Sequence, residues 1–262
     1  MRRWALVALA AVAACGTGGG GASSVLEEAT EKLAEVRSGE LHLRVTASTL
    51  AADAREVGFD VKGPFALSDT AGGLPKVRFA YTDLLGAKSA TTTFVSDGDR
   101  AFVEHGGRTT PVPEDDVAHL RGKADTKKAA ALGGLRLDEW ADDPEQSEDG
   151  GTVTAEVDAV AALNDVFGVA ASVGADSGST FPRIEGKDAE RFRRAVRSSR
   201  MEVETAGDNV LRALRLVIEL APPDADKERI QRLLGRFNGA RLAVTLELDR
   251  VNQPVEVSAP TR

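Results

Sequence analysis

The sequence predicts an α+β domain: a strongly curved antiparallel β-sheet, a half-barrel, with helices covering its concave face. Three observations lead there. Many segments alternate apolar and polar residues, the signature of strands with one wet and one dry face. Several are joined by turns so short that their neighbours must run antiparallel. Few helical stretches remain to cover the dry face of so long a sheet.

The chain opens with Met1-Arg2-Arg3, an apolar run from Trp4 to Ala11, and Val12-Ala13-Ala14-Cys15. That is the layout of a secretion signal, and the apolar run is too short to remain as a membrane-spanning helix. VAAC resembles the lipobox of bacterial lipoprotein precursors, with Val12 where Leu is usual. The resemblance implies a signal peptide over residues 1–14, diacylglycerol on the Cys15 sulfur and cleavage before it. The alternative is an ordinary signal peptide with Cys15 an incidental thiol. Cys15 is the only cysteine, so no intramolecular disulfide can form. A single acyl chain holds a protein to a membrane marginally and two hold it stably, which suits a diacylated sulfur.

Gly16 to Ser24 reads as a flexible tether, so residues 15–24 form the lipidated cysteine and its linker, and residues 25–262 a single domain. Removing the leader takes the count from 33 basic and 41 acidic residues (−8) to 31 and 41 (−10). So acidic a domain is a poor partner for nucleic acid and has no general attraction to anionic headgroups. Membrane contact is expected through acylated Cys15.

Within the domain, a helix is expected over Val25–Val36, with Val25, Leu26, Ala29, Leu33 and Val36 on one face and Gly39 ending it. Alternating strands follow around Leu41–Ala47, Val57–Val61 and Val77–Tyr81. Segments 90–96 and 100–105 flank Asp97-Gly98-Asp99, a hairpin signal, and Gly106-Gly107 leads to a short strand ending at Pro111. Residues 114–137 read as mixed helical and 138–151 as an acidic loop. Ala155 to Ala171 is apolar on most sides, hence a buried helix. A Ser/Gly loop at 174–180 and a charged helix over Lys187–Val196 precede strands at 200–205, 210–220, 241–250 and 254–258. The first two meet at Gly207-Asp208-Asn209, and a helix is expected near 227–237.

Sites of chemistry are sparse. His42, His105 and His119 share no spacing and have no cysteine partner, so no metal site is expected; His42 suits a polar strand face and His105 a turn. Gly174-Ala175-Asp176-Ser177-Gly178 places its serine one position too late for a nucleophile elbow. Asp97-Gly98-Asp99 lacks the later glutamate of a calcium loop. The run Arg191 to Arg197 suits a charged surface helix or an anionic headgroup. Neither a cofactor nor an enzyme activity is expected.

The lipobox, VRSGELHLRV, VGFDVKGPFAL, LPKVRFAYTD, TTTFVSDGDRAFVEHGGRTTPVP and the closing LRLVIEL and RLAVTLELDRVNQPVEVSAP together resemble actinobacterial lipoproteins of the LppX/LprAFG group and their LolA-like relatives. The resemblance spans nearly the whole mature chain. It implies a half-barrel capped by helices that takes the acyl chains of a lipid or glycolipid in transit through the envelope. It also implies an extracytoplasmic, membrane-anchored location and an envelope transport protein as partner. The cavity lining would be Leu43, Val45, Phe59, Val61, Phe79, Tyr81, Phe94, Leu163, Phe167, Leu216, Ile218, Val244 and Leu246. The same stripe would serve equally as a solid core, which leaves an interaction module without lipid as the alternative.

Overall fold

A computed structural model describes residues 18–50, 55–68, 73–85, 88–118, 121, 132–172, 183–221 and 239–258. Cys15, His119, the Ser/Gly loop at 174–180 and the helix expected near 227–237 lie outside the described residues.

Among the described residues, eleven strands form one antiparallel sheet: β1 (Ser38–Thr49), β2 (Val57–Ala66), β3 (Lys76–Leu85), β4 (Lys88–Asp97), β5 (Ala101–His105), β6 (Arg108–Pro111), β7 (Ala141–Gln146), β8 (Thr152–Val157), β9 (Val196–Thr205), β10 (Leu211–Leu220) and β11 (Ala240–Asp249). Their order is β6-β5-β4-β3-β2-β1-β11-β10-β9-β8-β7, so the sheet is open, with β6 and β7 at its edges. It consists of two meanders, β1–β6 and β7–β11. They are joined where the first strand pairs with the last, from Glu40 opposite Asp249 to Thr49 opposite Ala240.

The turns form for local reasons. The Asp97 carboxylate accepts bonds from the backbone N–H of Asp99 (3.1 Å) and Arg100 (2.8 Å), closing the β4–β5 hairpin. Gly106 and Gly107 (φ 56° and 75°) supply the left-handed pair that a two-residue hairpin needs. His105, expected in that turn, is the last residue of β5.

Helix α1 runs Gly18–Ala34. It starts well upstream of Val25, and residues 18–24, expected as tether, are helix. Glycine costs about 1 kcal/mol per position in a helix interior. Packing overrides that: Ala22, Leu26 and Ala29 are fully buried in the main core, and α1 lies against β7 and reaches β8 and β10. Of the expected linker, Gly16 and Thr17 lie outside the described residues.

The acidic stretch expected as a loop holds helix α2 (Leu137–Trp140) and edge strand β7. Asp142, Asp143 and Pro144 hid that strand. One side of an edge strand is unpaired and tolerates proline, and the register shift between Asp142 and Glu145, with Asp143 at φ 45°, absorbs the irregularity. The buried helix is shorter than expected, because 155–157 belong to β8. Asp158 caps helix α3 (Ala159–Ser172), its carboxylate accepting from Val160 N–H at 2.9 Å and Ala161 N–H at 3.2 Å. Helix α4 (Gly186–Ala195) lies where expected, and residues 254–258 form no strand.

Asp165 joins α2 to α3. It is 8% exposed and accepts from Trp140 Nε1 at 2.9 Å and from Arg136 Nε and Nη2 at 3.2 Å. Removing the carboxylate orphans the buried indole N–H, while the half-exposed Arg136 guanidinium keeps Glu139 at 2.6 Å. Asp165→Ala should therefore lower unfolding free energy by about 2 kcal/mol, read from the denaturant midpoint; a change within about 0.5 kcal/mol, the usual range of a surface substitution, would contradict this arrangement.

Candidate functional site

Residues directly opposite in an antiparallel pair point to the same face of the sheet, so the registers can be followed strand by strand. Tyr81 faces Val61, Val61 faces Leu43, Leu43 faces Leu246, Leu246 faces Leu214, Leu214 faces Val203 and Val203 faces Val153. One apolar row thus crosses seven strands unbroken. A parallel row runs Phe59, Val45, Val244, Leu216, Met201, Ala155. Phe79 opposite Phe94 extends the face to β4, and Ile218 opposite Leu242 adds to its other end.

All eleven of the strand residues expected on the lining fall on this one face, and Leu163 and Phe167 of α3 join the same cluster. Leu43 and Ile218 are 0% exposed, and Val61, Leu163 and Leu216 are 1%. A side chain bordering a void that admits water keeps accessible surface, so at these five positions the face is packed. Val45, Tyr81, Phe94 and Phe167 are only partly buried. Tyr81 stacks on Phe59 with ring centroids 6.0 Å apart.

Across β2, β1 and β11 exposure on this face rises toward one end of the strands, whereas Ile218 of β10, in the same cross-strand row as Val57, Ala47 and Leu242, stays fully buried. The turns after β4, β7 and β9 and the start of β1 lie at one end, where Leu41 and Leu248 are buried. Toward the other end come half-buried Val45, Ala47 and Leu242, then Val57, which is 44% exposed. α1 lies at the turn end, with Asn209 of the β9–β10 turn donating to Glu28 at 2.8 Å. α4 leads directly into β9 at the opposite end.

The sequence reading missed Leu214, Met201, Val203 and Val153 on the same face. Their period-two alternation was visible, in the segments around 201–205 and 211–218. Trp140, 1% exposed, was missed for a different cause: acidic neighbours on both sides leave no periodicity around it.

The other face is polar. His42 lies between Asp60 (Nε2 to Oδ2, 2.9 Å) and Glu247 (Nδ1 to Oε2, 3.2 Å). Arg215 bonds both Glu202 and Glu204. Partial burial works to lower the His42 pKa, but the hydrogen bonds and charges of Asp60 and Glu247 outweigh it, and the net displacement is upward. Its stabilising effect is therefore fully present below the unfolded value of about 6.5 and is lost as pH rises through the higher folded value. The ring is 37% exposed, so the effect is small. The His42 titration followed by NMR should have its midpoint above about 6.5, and in Asp60→Asn it should fall; a midpoint at or below that value would contradict the geometry.

A pocket of about 380 Å3 lies among Glu40, Pro64, Arg250, Pro254, Val255 and Glu256. It sits by the polar face, away from the apolar rows. Among the described residues no group of three or more His, Cys, Asp or Glu side chains is placed to hold a metal ion, and no helix is long and apolar enough to cross a membrane.

No family model matches the sequence, and no curated protein matches it significantly. Solved structures are similar. LprF from Mycobacterium bovis aligns over 94% of this chain and 100% of its own, at 15% identity and TM-score 0.45. A LolA superfamily protein from Nitrosomonas europaea aligns over 89% and 94%, at 10% identity and TM-score 0.26. An S-type phycobiliprotein lyase from Guillardia theta aligns over 89% and 98%, at 9% identity and TM-score 0.25.

Proposed function

We propose that this chain is a lipoprotein, anchored through diacylated Cys15 at the extracytoplasmic face of a cell membrane, that binds the acyl chain of a lipid or glycolipid. The chain lies on the apolar face of a curved sheet, under α1 and α3, and is carried or presented to an envelope transport protein. No catalytic step belongs to this reading. Its main support is the pair of unbroken apolar rows whose exposure increases toward Val57.

Leu43, Ile218 and Leu163 are all fully packed members of one core cluster, so binding requires that packing to open, and in this reading it opens by movement of α3. α3 suits that role. Val160, Ala162, Leu163, Val166, Val169 and Ala170 are all buried, so a displaced helix still has an apolar surface to offer the ligand. Inserting a chain of about sixteen carbons gains on the order of 10 kcal/mol at about 0.8 kcal/mol per methylene. Separating three or four large side chains costs about 1.5–3 kcal/mol each, and the ligand re-covers them. The balance permits insertion.

Full-length protein purified from membranes without added lipid, then extracted with organic solvent, tests this. The expected result is a stoichiometric lipid beyond the one on Cys15. A protein with only its anchor, which also rejects added lipid, would be the filled-core interaction module instead. The zero exposure of Leu43 and Ile218 is the observation that favours that second reading.

A further inference from the structure

The row that crosses the apolar face continues beyond Tyr81. Tyr81 faces Thr92 of β4, Thr92 faces His105 of β5 and His105 faces Arg108 of β6, so these three polar side chains share the face of Leu43 and Val61. Burial falls steadily along the row. Leu43 and Val61 are buried, Tyr81 and Thr92 half-buried, His105 and Arg108 exposed. Among the described residues, the face is therefore open along its β6 edge, and there it ends in polar groups.

Those groups suit a small anion. Thr92 Oγ1 lies 3.0 Å from His105 Nδ1, which orients the ring and leaves Nε2 to bond elsewhere. Directly across the hairpin, the Arg108 guanidinium bonds to no other described residue. Side chains opposite each other in such a pair start about 5 Å apart at Cβ, so the two oxygens of one carboxylate can engage both, and a guanidinium fork matches a carboxylate well. Nearby acids do not compete for the pair. Glu104 of β5 points to the other face and bonds Arg78, and Asp83 is opposite Phe59 and Ala90, two strands from His105. β6 is the edge strand, so beyond Arg108 the sheet has no further donors for a large headgroup.

We propose that Arg108 and His105 bind the carboxylate of a free long-chain fatty acid, whose alkyl chain follows the row inward past Tyr81. This rests on the lipid-carrier reading and narrows it from acyl lipids in general to a single-chain acid.

The test uses the full chain with Cys15→Ser, stripped of lipid, and two probes that differ only at the head: palmitate and hexadecanol, each titrated below its aggregation limit. The expected result is a preference of about tenfold for palmitate, two exposed charge contacts each contributing modestly. The double variant His105→Gln, Arg108→Gln should lose that preference and bind hexadecanol as the parent does. It should also unfold at the parent's temperature, since both side chains are exposed. Equal affinity for the two probes in the parent overturns the proposal and leaves the carrier reading standing, as does a preference that survives in the double variant. A third probe, 1-palmitoyl lysophosphatidic acid, separates the head chemistries. If it binds more tightly than palmitate and depends on the same two residues, the site takes phosphate and the proposal is overturned. Refusal of all three probes would defeat the carrier reading itself and this proposal with it.

Discussion

Replacing Cys15 by serine is expected to move the protein from the membrane fraction to the soluble one almost completely. The chain is acidic, with a formal charge of −8, so an anionic surface repels rather than holds it, and no helix among the described residues is long and apolar enough to span a bilayer. On the proposed reading, the acyl chains on Cys15 are the attachment. At about 0.8 kcal/mol per buried methylene, one chain gives reversible binding and two give a stable anchor. Losing both should remove the attachment entirely. Globomycin, which blocks lipoprotein signal cleavage, should leave the parent as an uncleaved precursor and have no effect on Cys15→Ser. Membrane retention of Cys15→Ser would show that some other feature anchors the chain.

Leu43→Asp is expected to produce the largest loss of stability of any substitution considered. Leu43 lies in β1, at the junction of the two meanders, with Val61 on one side, Leu246 on the other and 0% exposure. A carboxylate there has no partner in the row and must either stay charged in an apolar setting or take up a proton. Adding the lost burial of leucine, the cost exceeds about 4 kcal/mol, a large part of the 5–15 kcal/mol that a typical domain has. Urea unfolding should show a collapsed or absent cooperative transition. Val57→Asp is the control. Val57 faces the same side at the open end and is 44% exposed, so its cost should stay near about 0.5 kcal/mol. Similar costs at the two positions would contradict the gradient of burial along the face.

Much of this architecture was readable from residue order. The alternation in LHLRV and VRFAYTD placed β1 and β3 with the correct face inward, and Asp97-Gly98-Asp99 and Gly207-Asp208-Asn209 marked turns that the structure has. These are local signals, a period of two or a residue that accepts a left-handed backbone. What escaped depends on distant partners. Gly18 to Gly21 reads as linker by propensity and becomes helix because Ala22 and Leu26 are buried in the core and α1 lies against β7. β7 carries a proline and three acids and is a strand because β8 pairs with it. The pairing of Glu40 with Asp249 closes a loop of about two hundred residues, and no local pattern announces it. The thirteen residues expected on a lining read as an apolar stripe, and they belong to or pack against one core cluster. Their packing was not legible, since a filled core and a ligand-bearing face have the same alternation.

On the carrier reading proposed above, a lipid chain lies between α3 and the apolar face of the sheet. Photocrosslinking tests it most directly, with a phospholipid carrying a diazirine midway along one acyl chain, incubated with lipid-stripped Cys15→Ser protein and mapped by peptide mass spectrometry. Adducts are expected on Leu163 and Phe167 of α3 and on Val45, Tyr81 and Val244 of the sheet, with none on His42 or Arg215 of the polar face. Adducts confined to the polar face, or none under saturating lipid, would contradict it.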